Sequence, residues 1–132
     1  MNQANPVTKA AKSSLRVVKL KSIVGMLALT TKGGVVEFVN EEDIVYCKAE
    51  GGNTLFYFQN GDCLSSPRLL KTALDSLSEN FYRIHHSYIV NMNYAKKFIK
   101  KNSGGNLEMF DGSILPVSQK NRTEVLGLFK TL

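Results

Sequence analysis

Apolar and polar positions first fall into strand-like order near Val17. Val17–Leu20 and Val24–Thr31 are rich in β-branched and aliphatic residues, Lys32-Gly33-Gly34 interrupts them, and Val35–Val39 resumes the pattern. Glu41-Glu42-Asp43 is a polar break. Ile44–Ala49 and Thr54–Gln59 then flank Glu50-Gly51-Gly52-Asn53, which reads as a hairpin loop. Asn60-Gly61 predicts a two-residue type I′ turn, because both central positions of that turn need positive φ, and Asp62–Ser65 should return as a strand. At Ser66-Pro67 the period changes. Serine at an N-cap followed by proline predicts a helix start, and Leu70, Ala73, Leu74 and Leu77 give that helix one apolar face ending near Glu79 or Asn80. Phe81–Ile84 and Ala95–Lys100 are further strands, separated by His85–Asn91. Asn102–Asn106 reads as a turn, and Leu107–Phe110 and Ser113–Val117 flank Asp111-Gly112, a second hairpin signal. Ser118 is placed to cap a last helix with Val125, Leu128, Phe129 and Leu132 on one face. The order predicts an all-β, mainly antiparallel fold with one inserted helix and one C-terminal helix. It lacks the strand–helix alternation of a parallel sheet.

The chain has 132 residues, which suits one domain. Residues 1–16 are polar and basic and read as a flexible extension; residues 17–132 read as the domain. Net charge is +6, from 17 Lys+Arg against 11 Asp+Glu, but it is unevenly spread. Residues 1–22 hold Lys9, Lys12, Arg16, Lys19 and Lys21 and no acid, whereas residues 35–62 carry a net −5. Residues 80–107 hold Arg83, Lys96, Lys97, Lys100 and Lys101 and again no acid. Residues 23–132 together are only +1, so the headline basicity lies mostly in the N-terminal stretch. A basic balance points to a polyanionic partner without choosing between nucleic acid and an anionic membrane. The longest apolar run, Ile23–Leu29, is far below the ~18 residues of a membrane span. No apolar core precedes a small-residue cleavage site either, so the expected compartment is the cytoplasm, with both cysteines reduced and no membrane span.

Catalytic readings find little support. His85-His86 is the only histidine pair, and neighbouring strand residues point to opposite faces. No Asp or Glu lies within the five residues before them or the 20 after them to orient an imidazole. Cys47 and Cys63 are 16 apart and the histidines follow 22 residues later, a poor match to zinc-ligand spacing, so no metal or other cofactor is expected. Cys47 reads as a small buried apolar residue. The stretch Phe81–Asn91 places hydrogen-bond donors among aromatic and aliphatic residues. It suits phosphate and base-edge recognition, and equally a strand and turn with a satisfied core histidine.

Phe81-x-Arg83-Ile84-His85-x-Ser87-Tyr88-Ile89-Val90-Asn91 closely resembles the central signature of LytTR DNA-binding domains, F-x-R-I-H-R-S-Y-I-V-N. Three further blocks occur in family order: Ile44–Thr54, Leu69–Leu77 and Asp111-Gly112-x-x-Leu115-Pro116-Val117-Ser118. The resemblance covers residues 17–132. It implies short antiparallel strands in stacked sheets, and a bacterial transcription regulator whose loops, not a recognition helix, enter successive major grooves of double-stranded DNA. It implies promoter direct repeats occupied by adjacent copies that associate on the DNA, and no enzymatic activity.

By the same resemblance, DNA contacts are expected from Gly52, Asn53 and Thr54, from His86 and Ser87, and from Gln119, Lys120 and Arg122. Arg83, His85 and Asn91 should structure the loops. Lys96, Lys97, Lys100 and Lys101 are candidate phosphate contacts, or else a solvated strand face. Two departures stand out. The family's usual Arg after the signature His is His86 here, and the usual Arg after the closing Ser is Gln119. Arg forks to guanine, whereas Gln suits adenine and His offers fewer donors, so sequence preference should differ from the family norm. The same departures leave open a protein-interaction module that has lost DNA recognition. Family members commonly carry a receiver domain before this part. The few residues preceding it here leave a stand-alone regulator or a fragment.

Overall fold

The computed structural model describes residues 25–132. The basic extension, the Val17–Leu20 strand and the start of the strand at Val24 lie outside the described residues. The elements in chain order are β1 (Met26–Thr30), β2 (Val36–Asn40), β3 (Ile44–Glu50), β4 (Asn53–Phe58), β5 (Cys63–Ser66), α1 (Leu70–Ser76), β6 (Phe81–His85), β7 (Tyr88–Asn91), β8 (Ala95–Lys100), β9 (Gly105–Met109), β10 (Ile114–Val117) and α2 (Gln119–Leu126). Every strand pairing is antiparallel. The pairs build a central sheet in the order β5-β4-β3-β7-β6, a three-stranded sheet β10-β9-β8 and a two-stranded sheet β1-β2.

The central sheet is buried on both faces, which is why β3 (Ile-Val-Tyr-Cys) and β7 (Tyr-Ile-Val) read as continuous apolar runs. One cluster joins Ile44, Cys47, Phe56, Phe58, Phe81 and Ile89 to Leu29 of β1 and to Leu70 and Ala73 of α1. The other joins Val45, Ile84 and Val90 to Leu107 and Met109 of β9, Leu115 and Val117 of β10, and Val125 of α2. Ile89 and Val90 are both fully buried, one in each cluster, as strand alternation requires. A bulge between Ile44 and Tyr46 breaks the alternation, so Val45 and Tyr46 pack on the same side. Each buried aliphatic chain of this kind contributes about 1.5–3 kcal/mol.

Several local expectations are corrected by the packing. Ser66 does not cap α1: it is the last residue of β5, paired with Thr54 and buried. The helix begins three residues after Pro67, behind Leu69, and ends at Ser76, where Leu77 turns extended and Ser78 N donates to Glu41 Oε1. The loop at Gly51-Gly52 is tighter than read, because Glu50 and Asn53 are already paired. The Asn60-Gly61 and Asp111-Gly112 turns are longer than two residues. Phe58 N donates to Asp62 O and Gly61 N to Phe58 O; Met109 N donates to Ser113 O and Gly112 N to Met109 O. Each loop thus has three residues with glycine, at φ 94, in the left-handed last position. Asn60 and Asp111 precede those glycines and accept from Asp62 N and Ser113 N, each at 2.9 Å. α2 stops at Leu126, so only Val125 of its expected apolar face is buried; Leu128, Phe129 and Leu132 are exposed.

Candidate nucleic-acid interface

Four turns are tied into one edge by hydrogen bonds between them. Ala49 N, near the end of β3, donates to Ser87 O in the β6–β7 turn at 2.9 Å, which sets that turn beside Gly51-Gly52. Ser118 N donates to Ile84 O at 2.9 Å, which brings the start of α2 to the same strand end. Gly104 N, in the β8–β9 loop, donates to Gln119 Oε1 at 2.7 Å. Arg122 Nη1 donates to Lys101 O at 2.9 Å and Gly104 O at 3.2 Å. Three of these turns bear the blocks that the sequence pattern singled out; the β8–β9 loop is the fourth.

The β6–β7 turn is braced from within. Ser87 N donates to His85 Nδ1 at 3.0 Å, so that nitrogen carries no proton in this arrangement. Arg83 Nη2 donates to His86 O. Arg83 and His85 therefore hold the backbone, while the His86 side chain stands exposed at the tip. Tyr88 packs beside His85, with ring centroids 5.9 Å apart. An open cleft of about 410 Å³ follows, lined by Arg83, His85, His86, Ser118, Lys120 and Asn121, with no carboxylate among its lining residues. Asn91 lies deeper: it is buried, donates from Nδ2 to Ile44 O at 3.0 Å, and accepts from Asn80 Nδ2 and Asn93 N.

The expected contact residues separate into two groups. Gly52, Asn53, His86, Gln119 and Lys120 are exposed on this edge, and Ser87 is half-buried in the turn. Thr54 is not available to a partner: it is fully buried, and its hydroxyl donates to Arg68 O at 2.7 Å. It fixes the β5–α1 turn against the β3–β4 turn. Gln119 and Arg122 are engaged with the β8–β9 loop by the bonds given above.

The four lysines do not form one patch. Lys96 and Lys97 each lie 3.8 Å from a carboxylate oxygen of Glu108, at a β8 bulge that lets two successive side chains reach one acid. Lys100 and Lys101 are exposed at the other end of β8, beside the α2 start; Lys101 lies about 13 Å along the chain from Lys97. Arg68 was missed by the sequence reading. It is exposed, and its carbonyl is held by Thr54 beside the Gly51-Gly52 turn. The one signal was its place in Ser66-Pro67-Arg68, which read as a helix start.

Among the described residues, no group of three or more His, Cys, Asp and Glu is placed to hold a metal ion. Cys47 is buried, and burial pushes its thiol pKa well above the ordinary range. Cys63 is exposed. Cys47 pairs with Phe56, whereas Cys63 pairs with Tyr57, one residue further on, so the two thiols face opposite sides of the sheet and cannot bridge. No helix of the described residues is long and apolar enough to cross a membrane.

The family model of the LytTr DNA-binding domain matches residues 34–130. The chain belongs to the LytTR family of DNA-binding domains. It is 31% identical over 100 residues to the CO-responsive transcriptional regulator RcoM of Rhodospirillum rubrum, a match covering 73% of this chain and 42% of that protein. It is 32% identical over 103 residues to the sensory transduction protein LytT of Bacillus subtilis, covering 77% of this chain and 42% of that one. The match therefore spans less than half the length of each of these relatives. Its fold matches the LytTr DNA-binding domain of a Bacillus cereus response regulator with a TM-score of 0.67 and 26% identity, over 78% of this chain and 97% of the other. LytTR domains are DNA-binding, not catalytic, modules, and the mostly antiparallel sheets with two helices seen here are the LytTR architecture.

Proposed function

We propose that this LytTR domain is a sequence-specific binder of double-stranded DNA in transcription control, docking by loops rather than by a recognition helix. The observation that carries this reading is the edge of hydrogen-bonded turns bordering a cleft of Arg83, His85, His86, Lys120, Ser118 and Asn121 with no carboxylate. A sheet scaffold fixes the spacing of such turns while their side chains stay free to carry donors. The major groove, about 12 Å wide, admits a β-turn, and successive turns would enter successive grooves. In this reading His86 and Lys120 address base edges, Asn53 matches adenine, and Gly52 lets the backbone approach closely. Ser87 donates to phosphate or base. Lys100, Lys101 and Arg68 neutralise phosphates at the margins, and the basic residues 1–22 add sequence-independent attraction. Adjacent copies on promoter direct repeats, associating on the DNA, and a cytoplasmic location complete the proposal. The domain's own family and its transcription-regulator relatives support it.

The test is selection of genomic fragments bound by the protein, followed by gel shifts across a salt series. Recovery of paired direct repeats is expected, with log K falling by about 0.9 per log unit of salt for each phosphate contact. Binding without sequence preference at every salt concentration would overturn the specific-regulator reading. A folded His86→Ala, Lys120→Ala double variant should lose the selected fragment. Unchanged binding by that variant would remove His86 and Lys120 from the contact set, whereas the absence of any selected fragment for the parent protein would favour a protein-interaction role instead.

A further inference from the structure

The β8–β9 loop carries no block of the family signature, yet three hydrogen bonds with the side chains of Gln119 and Arg122 hold it to the edge of turns. Gln119 Oε1 accepts from Gly104 N, and Arg122 donates to the carbonyls of both Lys101 and Gly104. The clamp grips both ends of a four-residue arch. Its closing residue has no room for a side chain: a Cβ on Gly104 would lie 2.1 Å from Val117 O, and its φ is +69. Gly105 is equally confined, with a Cβ position 2.5 Å from the Phe98 ring. The packed side of the arch is therefore all backbone. The other side is Lys101, Asn102 and Ser103, all exposed; no hydrogen bond or salt bridge among the described residues engages their side chains. A short loop ordered by two side chains, with a cation, an amide and a hydroxyl left outward, has the chemistry of a phosphate and base-edge contact.

We infer that Gln119 and Arg122 act as positioning residues, and that the Lys101-Asn102-Ser103 arch they hold is a DNA-contacting element of this domain. The inference rests on the DNA-binding reading above. It also accounts for Gln119 standing where the family usually has arginine. A glutamine carbonyl can accept from the Gly104 N–H; a guanidinium, which has no acceptor, cannot. The substitution thus exchanges a side chain able to fork to guanine for one that presents a neighbouring loop. Specificity at that point of the site moves to Asn102 and Ser103.

The experiment is a double-mutant cycle in the full chain, scored as affinity for the genomic fragment that the unmodified protein selects. Asn102→Ala and Gln119→Ala should each weaken binding about tenfold, and together no more than Gln119→Ala alone, because both act through one loop. Lys101→Ala should lower the salt slope by about 0.9. A Gln119→Glu variant retains an acceptor for Gly104 N and should keep the arch's amide protection, a readout that direct base contact by Gln119 would not predict. Additive losses would overturn the positioning role. An unchanged affinity and salt slope in Lys101→Ala and Asn102→Ala would overturn the arch as a contact. Those failures are distinct from failure of the DNA-binding reading itself, which would show as no selected fragment for the unmodified chain.

Discussion

Asn91 offers the sharpest test of how the fold holds the edge of turns. Its amide makes three hydrogen bonds: Nδ2 to Ile44 O at 3.0 Å, and Oδ1 from Asn80 Nδ2 at 2.8 Å and from Asn93 N at 3.0 Å. These tie β7 to β3 and to the turn before β6, the strand that ends in His85. Truncation to alanine leaves Ile44 O buried without a donor, at a cost of about 1–3 kcal/mol, and removes two partly buried bonds worth about 0.5–1.5 kcal/mol each. The expected loss for Asn91→Ala is therefore about 2–6 kcal/mol, a large share of the roughly 5–15 kcal/mol that holds a domain together. Asn91→Asp asks a finer question. Its carboxyl retains both acceptor bonds but turns an oxygen toward Ile44 O, where only the protonated form can donate. The folded-state pKa of that Asp is therefore raised above its unfolded value near 3.9. Its contribution is fully present below about pH 3.9 and is lost as pH rises through the folded pKa. Urea unfolding followed by circular dichroism at pH 4 and pH 7 measures this directly. The gap between the Asp and Ala variants cancels the background titration of other carboxyls. The Asp variant should gain on the Ala variant as pH falls. A gap independent of pH, or an Ala variant within about 1 kcal/mol of the parent, would refute the geometry.

Other consequences follow from single features. A thiol reagent should label one cysteine, Cys63, in the native protein and both after unfolding, since Cys47 is buried with its thiol held protonated; two fast labels would contradict the packing. Gly104→Ala meets Val117 O and should cost at least about 2 kcal/mol. Gly112→Ala, with open space around it and only its positive φ to pay for, should cost about 1–2 kcal/mol, and equal losses at the two sites would count against the tight approach. Burial, chiefly, raises the Tyr46, Tyr57 and Tyr94 pKa values above 10.0, so their contribution is intact below pH 10 and falls as pH climbs through the folded values. Thermal melts at pH 9 and pH 11 should show that loss, and a smaller one in a Tyr46→Phe, Tyr94→Phe variant, which keeps only Tyr57 of the three. Removing residues 1–15, which include Lys9 and Lys12, should weaken binding to every DNA while leaving the preferred fragment unchanged; a changed preference would mean that the segment reads bases.

Much of this edge of turns was legible in the sequence. The signature around His85 lies on the β6–β7 hairpin, and the Gly51-Gly52 and Pro116-Val117-Ser118 blocks lie at turns hydrogen-bonded to it or to its neighbours. Thr54 was legible as a type and not as a role. A threonine in a loop block looks like a donor to a ligand, and only the approach of the β5–α1 turn makes Arg68 O its acceptor. The lysines of β8 show the same limit. Their clustering is plain in sequence, but Glu108 is far enough along the chain that its pairing with Lys96 and Lys97 exists only through the β8–β9 register.

The sequence by itself determined what local forces decide. Strand order follows from apolar runs, hairpin positions from Asn-Gly and Asp-Gly pairs, and the inserted helix from a 3.6-residue period; each rests on dihedral preference and side-chain spacing within a few residues. Only the tertiary structure decided which chain ends meet. It placed Ser66 in the sheet rather than at a helix cap, because pairing with Thr54 buries it. It left Leu128, Phe129 and Leu132 uncovered, because α2 ends before they could join a helical face. It turned Gln119 and Arg122 toward the β8–β9 loop, through hydrogen bonds spanning 15 to 21 residues. Pairings across such separations depend on how the sheets stack, and no local pattern encodes that.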